Sequence, residues 1–375
     1  MKKILSCILA IILFISVFGV FTANAGSLSL SAESAILIDA DSGRVLYQKN
    51  AFVRLPMAST TKIMTALVAI ESGNIDRAVK IDNRARGVEG SSIYLADGEV
   101  LSMRDLVYAL LLASANDAAA AIAFEISGSI EDFAILMNQK ADELGLTSTH
   151  FVNPHGLHAE EHYTTAYDLA KITAEALKNE IFLEICSSKT KKIPLNVNEG
   201  TRYLTNHNKL LRSYNGCIGV KTGFTKKSGR CLVSAAEREG LRLVAVTLNA
   251  PDDWRDHTAM LDFGFERYTR LDIAKPGAFS TVLPLSGGDL PNLTAVNRDS
   301  ISALLTASHG EISHKIEAIR PLTAPVKDGD IVGRVIFYEN GKEIAASPLI
   351  AENGVKAAPQ KFNFFEWLKR LFNKK

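Results

Sequence analysis

A serine and a lysine stand one helical turn apart at the start of the apolar run MASTTKIMTALVAI, residues 57–70. Ser59 and Lys62 are three residues apart, so a helix would place both side chains on one face. The rest of the run is apolar almost all round, which indicates a buried helix. Lys62 could extend its amine toward water, or it could be a desolvated base beside a nucleophilic Ser59.

Two further short motifs supply partners for this pair. LLLASANDAAAA places Ser114 and Asn116 at the end of an apolar helical run, and GVKTGFT places Lys221, Thr222 and Gly223 on a predicted strand. Each motif alone occurs by chance in many proteins. The three in order within one predicted domain favour nucleophilic catalysis by serine.

The chemistry of these residue types is consistent with that prediction. A serine hydroxyl is a poor nucleophile until a base removes its proton. Lys62 can be this base only when neutral, which requires burial and a nearby positive charge to lower its pKa. The apolar helix would bury Lys62, and Lys221 is the candidate for the charge. Ser59 at the start of the helix also lies where developing negative charge is favoured.

Length and composition limit the alternatives. The chain has 375 residues, is 47% hydrophobic and carries a formal net charge of +1. These values predict a large core and two domains, and the dispersed charge argues against nucleic-acid binding. Residues 1–25 combine two lysines, an apolar stretch and an Ala-Asn-Ala cleavage pattern, which predicts a signal peptide and a secreted protein. Because the apolar stretch is long, a retained N-terminal anchor is the alternative.

The cysteines do not predict a disulfide framework. Removal of the leader would leave Cys186, Cys217 and Cys231, which is an odd and sparse set. Cys217 and Cys231 could face each other across a hairpin. We prefer to interpret the cysteines as small buried thiols.

The order of predicted elements indicates an α+β fold. Two strand-like runs within residues 34–50 flank an Asp-Ser-Gly turn, a hairpin signal. Helices follow, one capped by Ser129 and ended by Gly145, and another over residues 165–177. Three strand-like runs then return, and a tight Glu-Gly turn joins the last two. This order predicts an antiparallel sheet whose first and last segments come together, with helices packed against it.

The pattern changes near residue 276. Short alternating runs broken by Gly, Asn-Gly and Pro over residues 276–358 predict a small all-β domain. Over residues 359–375, Asn363 can cap a helix with Phe and Leu on one face and Lys and Arg around the other side. This amphipathic helix is too short to span a bilayer and is suited to lying in the membrane surface. Packing against its own β domain is the alternative.

The three motifs resemble those of the penicillin-recognising serine enzymes, which include penicillin-binding proteins and serine β-lactamases. A narrower resemblance, to the low-molecular-mass D-alanyl-D-alanine carboxypeptidases, covers essentially the whole mature chain. It rests on the β-rich domain with its amphipathic tail and on the segments AILIDADSGRVLYQKN, NPHGL, HYTTAYDLAKIT and GVKTGFTKKSGRCLVSAA.

That resemblance implies a β-lactamase/transpeptidase-like catalytic domain over residues 26–275. It implies a serine carboxypeptidase that removes the terminal D-alanine from peptidoglycan stem peptides and is acylated by β-lactams. No metal or cofactor is implied. The tail over residues 359–375 is expected to hold the protein at the outer face of the cytoplasmic membrane.

The resemblance also implies the catalytic roles. Ser59 would be the nucleophile and Lys62 the general base, while Ser114 would relay a proton to the leaving amine. The backbone N–H groups of Ser59 and Phe224 would form the oxyanion hole, in which loss of one donor typically costs on the order of 100-fold or more in rate.

The remaining motif residues are expected to bind substrate. Asn116 would hold the amide of the substrate, and Lys221 and Thr222 would bind its terminal carboxylate. Gly223 would let the substrate backbone lie against the strand.

Two positions depart from the pattern of the family. Phe224 follows Lys-Thr-Gly, where histidine is often found. A family arginine that helps to bind the carboxylate aligns with Asp253 here, and Arg255 lies two residues on. We expect either that Arg255 takes over this role or that carboxylate binding rests mainly on Lys221 and Thr222.

Three rival functions have a basis in the sequence. His158 and His162 form an H-x-x-E-H zinc pattern, but this pattern needs a helix, and the Asn-Pro-His-Gly sequence before it indicates a loop. A β-lactamase would need a base to hydrolyse its acyl-enzyme quickly, usually a glutamate on a loop between the second and third motifs, and Glu160 and Glu161 lie in that interval. A non-catalytic penicillin-binding protein of the cell wall could keep the motifs and lack turnover.

Overall fold

The computed structural model describes residues 28–195 and 200–359. Within them the chain forms two compact units. The first contains residues 28–236 together with Leu243–Leu261, and the second contains Glu237–Arg242 together with residues 262–359. The predicted signal peptide and the predicted C-terminal helix lie outside the described residues.

The first unit contains the helices and nine of the sixteen described strands. Its strands, with the last two extending into the second unit, are β1 (Ser34–Asp39), β2 (Val45–Lys49), β3 (Ala78–Lys80), β4 (Val100–Ser102), β5 (Thr190–Leu195), β6 (Gly200–Thr205), β7 (Cys217–Thr225), β8 (Gly229–Arg238) and β9 (Leu241–Leu248). The helices are α1 (Lys62–Glu71), α2 (Met103–Leu112), α3 (Asn116–Ser127), α4 (Ile130–Glu143), α5 (Ala166–Ala176), α6 (Glu180–Ser187), α7 (Leu210–Ser213) and α8 (Asp253–Arg267), the last of which also extends into the second unit. Two short 3₁₀ turns are Ala58–Thr61 and Asn83–Ala85.

The main sheet joins the two ends of the predicted catalytic domain. Its strand order is β2-β1-β9-β8-β7. Strand β1 pairs antiparallel with both β2 and β9, and β7 pairs antiparallel with β8. The prediction that the first and last segments form one antiparallel sheet is therefore confirmed. Strand β7, which carries the Lys-Thr-Gly motif, lies at the edge of this sheet.

Two helices begin, and one of them ends, where the sequence predicts. The Ser129 hydroxyl accepts a hydrogen bond from the backbone N–H of Asp132 at 2.9 Å, which starts α4. Gly145 follows the end of α4 with φ +68°, a left-handed conformation that glycine adopts without a steric penalty. Thr165 caps α5 in the same way, through the N–H of Asp168 at 3.0 Å.

Helix α1 lies at the centre of the first unit. Every residue of α1 from Lys62 to Ile70 is buried, as the apolar run predicts. It belongs to one continuous core with α2 and α3, whose inward faces are rich in Leu and Ala. Lys62 is therefore the first residue of a buried helix, and its side chain has almost no contact with water.

Two β ribbons in this unit are not predicted from the sequence. Strands β3 and β4 form one antiparallel pair, and β5 and β6 form another. Strands β3 and β4 have three residues each, which is too short for a period to be recognised.

The second unit is built mainly of strands, in agreement with the predicted all-β domain. Its strands are β10 (Tyr268–Ala274), β11 (Ser280–Pro284), β12 (Asn292–Asn297), β13 (Ile301–Thr306), β14 (Ile312–Ala318), β15 (Ile331–Glu339) and β16 (Lys342–Ala351). Five of them form a sheet in the order β11-β12-β16-β15-β14, and β10 pairs with β13. This sheet packs over its own cluster of buried Leu, Val and Phe side chains.

The three cysteines of the described chain form no disulfide, in agreement with their interpretation as thiols. Cys186 and Cys231 are buried and Cys217 is half-buried. None of the helices in residues 28–195 and 200–359 is long and apolar enough to cross a membrane.

Candidate active site

A tight turn positions Ser59 in front of α1. The turn Ala58–Thr61 is a 3₁₀ helix, so the α-helix itself begins only at Lys62. The hydroxyl of Thr60 donates to the Met57 carbonyl at 2.6 Å, and the hydroxyl of Thr61 donates to the Ala58 carbonyl at 2.8 Å. Both bonds satisfy carbonyl groups of the turn and hold Ser59 half-buried at its outer side.

The amine of Lys62 is surrounded by oxygen atoms. Its Nζ lies 2.9 Å from Ser59 Oγ, 2.6 Å from Asn116 Oδ1 and 2.6 Å from the carbonyl oxygen of His155. Lys62 has no exposed surface. The serine and the lysine of the first motif are thus in direct contact, as the spacing predicts.

Burial governs the protonation of Lys62. The pKa of Lys62 is well below its usual value of 10.5, first because burial removes water from the ammonium and second because the positive charge of Lys221 is close. The carboxylate of Asp117 acts in the opposite direction and is the weaker influence. Desolvation and a like charge both favour the neutral amine.

The Ser-x-Asn motif lies where α2 gives way to α3. Ser114 adopts φ +58°, and Asn116 is the first residue of α3. The amide of Asn116 accepts from Lys62 and donates to the carbonyl of Glu89, while its backbone N–H donates to the carbonyl of Ser91 at 2.7 Å. Asn116 therefore fixes the amine of Lys62, and its predicted contact with substrate stays a prediction.

Asp117 anchors the loop that carries Ser91. This buried carboxylate accepts hydrogen bonds from the hydroxyl of Ser92 at 2.6 Å and from the N–H groups of Ile93 and Leu95. Three bonds to one carboxylate give the loop a defined position.

Strand β7 brings Lys221, Thr222 and Gly223 beside the turn of Ser59. A Cβ atom added to Gly223 would lie 3.1 Å from the amide nitrogen of Ser59 and 3.1 Å from the carbonyl oxygen of Met57. Such a distance is tighter than ordinary contacts, so glycine lets the edge strand approach the turn closely. Lys221 is buried and donates to the carbonyl of Thr222 at 2.8 Å. Burial lowers the pKa of Lys221 to about 7.

Residues of all three motifs, namely Ser59, Ser114, Thr222 and Gly223, meet in one cavity of about 320 Å³. Its lining residues, most of them polar, are Ser59, Ser91, Ser114, His207, Thr222, Gly223, Phe224, Arg230, Asp253 and Trp254. Lys62 lies directly behind Ser59, and its amine is hydrogen-bonded both to Ser59 Oγ and to the side chain of Asn116. A larger cavity, mainly apolar, lies on strands β14 to β16 of the second unit, and it contains none of the predicted site residues.

The arginine at this cavity is Arg230, which sequence reasoning did not identify. Its Nε and Nη2 donate to Asp253 Oδ1 at 3.0 and 2.9 Å. Arg255 is exposed and is not among the residues that line the cavity. A basic residue following a turn between two strands is common, so no local signal separates Arg230 from other surface arginines.

The histidine-rich segment serves the structure of the loop before α5. His162 accepts the N–H of Val152 at Nδ1, and its Nε2 lies 2.8 Å from the hydroxyl of Thr61. Both ring nitrogens of His162 are therefore occupied by protein partners. His158 is exposed, and residues 158–162 do not form a helix, so the arrangement that the zinc pattern requires is not present there.

The fold and the cavity together define a penicillin-recognising serine enzyme. The chain matches the model of the D-alanyl-D-alanine carboxypeptidase family over residues 20–252. Residues 281–357 match a second model, described as the C-terminal domain of penicillin-binding protein 5. The chain belongs to the D-alanyl-D-alanine carboxypeptidase family and is a serine D-Ala-D-Ala carboxypeptidase.

Relatives from several bacteria support this assignment. The chain is 34% identical to the D-alanyl-D-alanine carboxypeptidase DacF of Bacillus subtilis, with 99% of this chain and 98% of the relative aligned. It is 34% identical to DacC of Escherichia coli over 88% of this chain and 85% of the relative. The crystal structure of penicillin-binding protein 5 from Haemophilus influenzae superposes with a TM-score of 0.75 at 27% identity, over 88% of this chain and 99% of that one. The expected carboxypeptidase resemblance and fold class are confirmed.

Proposed function

We propose that the enzyme removes the terminal D-alanine from peptidoglycan stem peptides through an ester formed on Ser59, with Lys62 as the general base. The observation that carries this proposal is the buried amine of Lys62 at 2.9 Å from Ser59 Oγ. Ser114, Thr222 and Gly223 line the same cavity, and Asn116 holds the amine of Lys62.

The geometry around Lys62 accounts for its use as a base. A neutral amine has two N–H groups and one lone pair. The oxygen atoms of Asn116 and His155 each accept one N–H at 2.6 Å, so the lone pair is left for the hydroxyl proton of Ser59. The lowered pKa of Lys62 keeps this form populated at lower pH than an ordinary lysine would allow.

The reaction then proceeds in two stages. Ser59 Oγ adds to the carbonyl carbon of the D-Ala-D-Ala bond as its proton passes to Lys62. The C–N bond breaks, and the departing amine takes the proton from Lys62 through the hydroxyl of Ser114. Water then cleaves the ester, which releases the shortened peptide and restores Ser59. We assign stabilisation of the oxyanion to the backbone N–H groups of Ser59 and Phe224.

The surroundings of the cavity favour a carboxypeptidase over a β-lactamase. None of the described residues that line the Ser59 cavity is a glutamate. Glu160 lines a separate cavity beside Arg54, and Glu161 is exposed. Neither glutamate is in place to activate a deacylating water at Ser59, and Asp253, the carboxylate that does line this cavity, is bound to Arg230.

We also propose that the protein is secreted and that residues 359–375 bind it to the outer face of the cytoplasmic membrane. The support for this is the leader pattern in residues 1–25 and the amphipathic pattern of the tail. Sedimentation with anionic phospholipid vesicles, with and without residues 363–375, tests the tail. Equal binding of both forms would remove the membrane proposal.

Two assays together test the catalytic proposal. We expect D-alanine release from an N-acyl-L-Lys-D-Ala-D-Ala peptide, and peptide mapping by mass spectrometry should place a penicillin adduct on Ser59. The Lys62→Met variant keeps a long unbranched side chain and should lose acylation while still unfolding cooperatively. An adduct on another residue, or acylation of Lys62→Met near the wild-type rate, would contradict the assigned roles.

A further inference from the structure

Arg230 occupies a defined place at the mouth of the Ser59 cavity. On the antiparallel pair of β7 and β8, Arg230 lies directly opposite Phe224, so both side chains point to the same face of the sheet. Thr222 lies two residues before Phe224 and shares this face. All three line the cavity. Arg230 therefore lies on β8 beside the Lys-Thr-Gly motif of β7.

Asp253 holds the guanidinium of Arg230 in place. The carboxylate side chain is only 3% exposed, whereas that of Arg230 is 42% exposed. Among the described residues, Asp253 takes two of the five N–H donors of the guanidinium, from Nε and Nη2. The opposite edge of the planar group is left for another acceptor, and Trp254 lies beside the guanidinium at 5.8 Å from ring centroid to Cζ.

The other cation of the site is less suited to an anion in the cavity. The amine of Lys221 is buried and already donates to the carbonyl of Thr222. Burial also brings its pKa to about 7, so the charge of Lys221 is only partly present at neutral pH. Arginine stays charged at any pH of interest.

We propose that Arg230, held by Asp253, binds the terminal carboxylate of the substrate and so makes the enzyme specific for a free C-terminus. A guanidinium with one open edge matches a carboxylate with two parallel hydrogen bonds. This inference rests on the proposed function, because it supplies the carboxylate subsite of the reaction at Ser59. Asp253 is a positioning residue in this assignment, since it acts on the substrate only through Arg230.

A pair of substrates that differ only in the carboxylate tests this role. N-acyl-D-alanyl-thioglycolic acid and its methyl ester share one acyl group and one reactive thioester, but only the acid carries the anion. We expect the wild-type enzyme to have a much higher kcat/KM for the acid. In Arg230→Gln the ratio of the two kcat/KM values should fall on the order of 100-fold, the typical effect of losing hydrogen bonds to a charged group.

Two further variants complete the experiment. Arg230→Gln leaves the buried Asp253 without its cation, so Arg230→Gln/Asp253→Asn should show the same loss of preference in a protein without that unpaired charge. Arg255→Gln, which removes an exposed arginine from the same helix as Asp253, should keep the preference within about twofold of the wild-type value, because Arg255 lies outside the cavity.

The outcomes separate this inference from the proposed function. If the wild-type protein forms no acyl-enzyme on Ser59 with either thioester, the proposed function itself fails. If the wild type reacts and the acid preference survives in Arg230→Gln and in the double variant, the carboxylate binds elsewhere and the inference is overturned. Loss of the preference in Arg255→Gln instead would give the role to Arg255.

Discussion

Replacement of Gly156 by alanine would disturb the turn of Ser59 without replacing any residue that has an assigned catalytic role. The loop around Gly156 passes against this turn and also supplies the His155 carbonyl that binds Lys62. A Cβ atom at Gly156 would lie 2.9 Å from the amide nitrogen of Ser59 and closer still to the carbonyl oxygen of Ala58. Both atoms belong to the backbone, so no side chain can rotate to make room.

The size of the effect follows from two contributions. Gly156 has φ +87°, a left-handed conformation that costs an L-residue about 1 kcal/mol of stability. The steric contact adds a displacement of loop and turn on the order of 1 Å, and such a shift of a reacting group typically costs on the order of 100-fold in rate. We therefore expect Gly156→Ala to be acylated about 100-fold more slowly than the wild type.

Gly128→Ala is the matched control for this experiment. Gly128 has φ +80°, but a Cβ atom there would have no neighbour within 4 Å, so it shares the conformational cost and lacks the contact. Stopped-flow acylation with a fluorescent penicillin gives the rate, and thermal unfolding shows whether each variant is folded. If folded Gly156→Ala and Gly128→Ala are acylated at the same rate, the loop does not hold the turn and the reasoning is refuted.

Two further predictions concern pH. The rate of acylation by penicillin should rise with pH as Lys62 loses its proton, with a midpoint well below 10.5. In Lys221→Met this midpoint should move upward, because a nearby positive charge is removed. An unchanged midpoint would contradict the coupling between the two lysines. His257 is buried between the hydroxyl groups of Ser234 and Thr247, and burial lowers its pKa to about 3. Because the unfolded chain binds this proton near pH 6.5 and the folded chain does not, stability should fall as the pH falls from 6.5 toward 3. Between pH 7 and 5 the loss in the free energy of unfolding should be about 2 kcal/mol smaller in His257→Gln than in the wild type, as urea titrations would measure; equal losses would contradict the assignment.

The reacting groups could be predicted because each motif is local. Ser59 and Lys62 are one helical turn apart, and Thr222 and Gly223 are adjacent on one strand. Helical and strand periods relate such neighbours directly, whatever the rest of the fold does. The cap at Ser129 and the start of a helix at Thr165 are equally local, and the sequence predicts both for the same reason.

The arginine at the cavity could not be predicted by such reasoning. Arg230 and Asp253 are 23 residues apart, and the side on which Arg230 points depends on its pairing with Phe224 in the register of β7 and β8. A shift of that register by one residue would turn Arg230 to the other face of the sheet. The expectation for Arg255 came from alignment along the chain, which carries no information on that register.

The sequence alone predicts the motif residues, the strands of the main sheet and the burial of the helix behind Ser59. The folded chain adds two contacts that the sequence does not predict: the carbonyl of His155, 93 residues from Lys62, and the amide oxygen of Asn116, 54 residues away, both accept hydrogen bonds from the amine. Short-range patterns express the period of one element, whereas these contacts depend on how separate elements pack. The direction of the lone pair of Lys62 is therefore a property of the folded core.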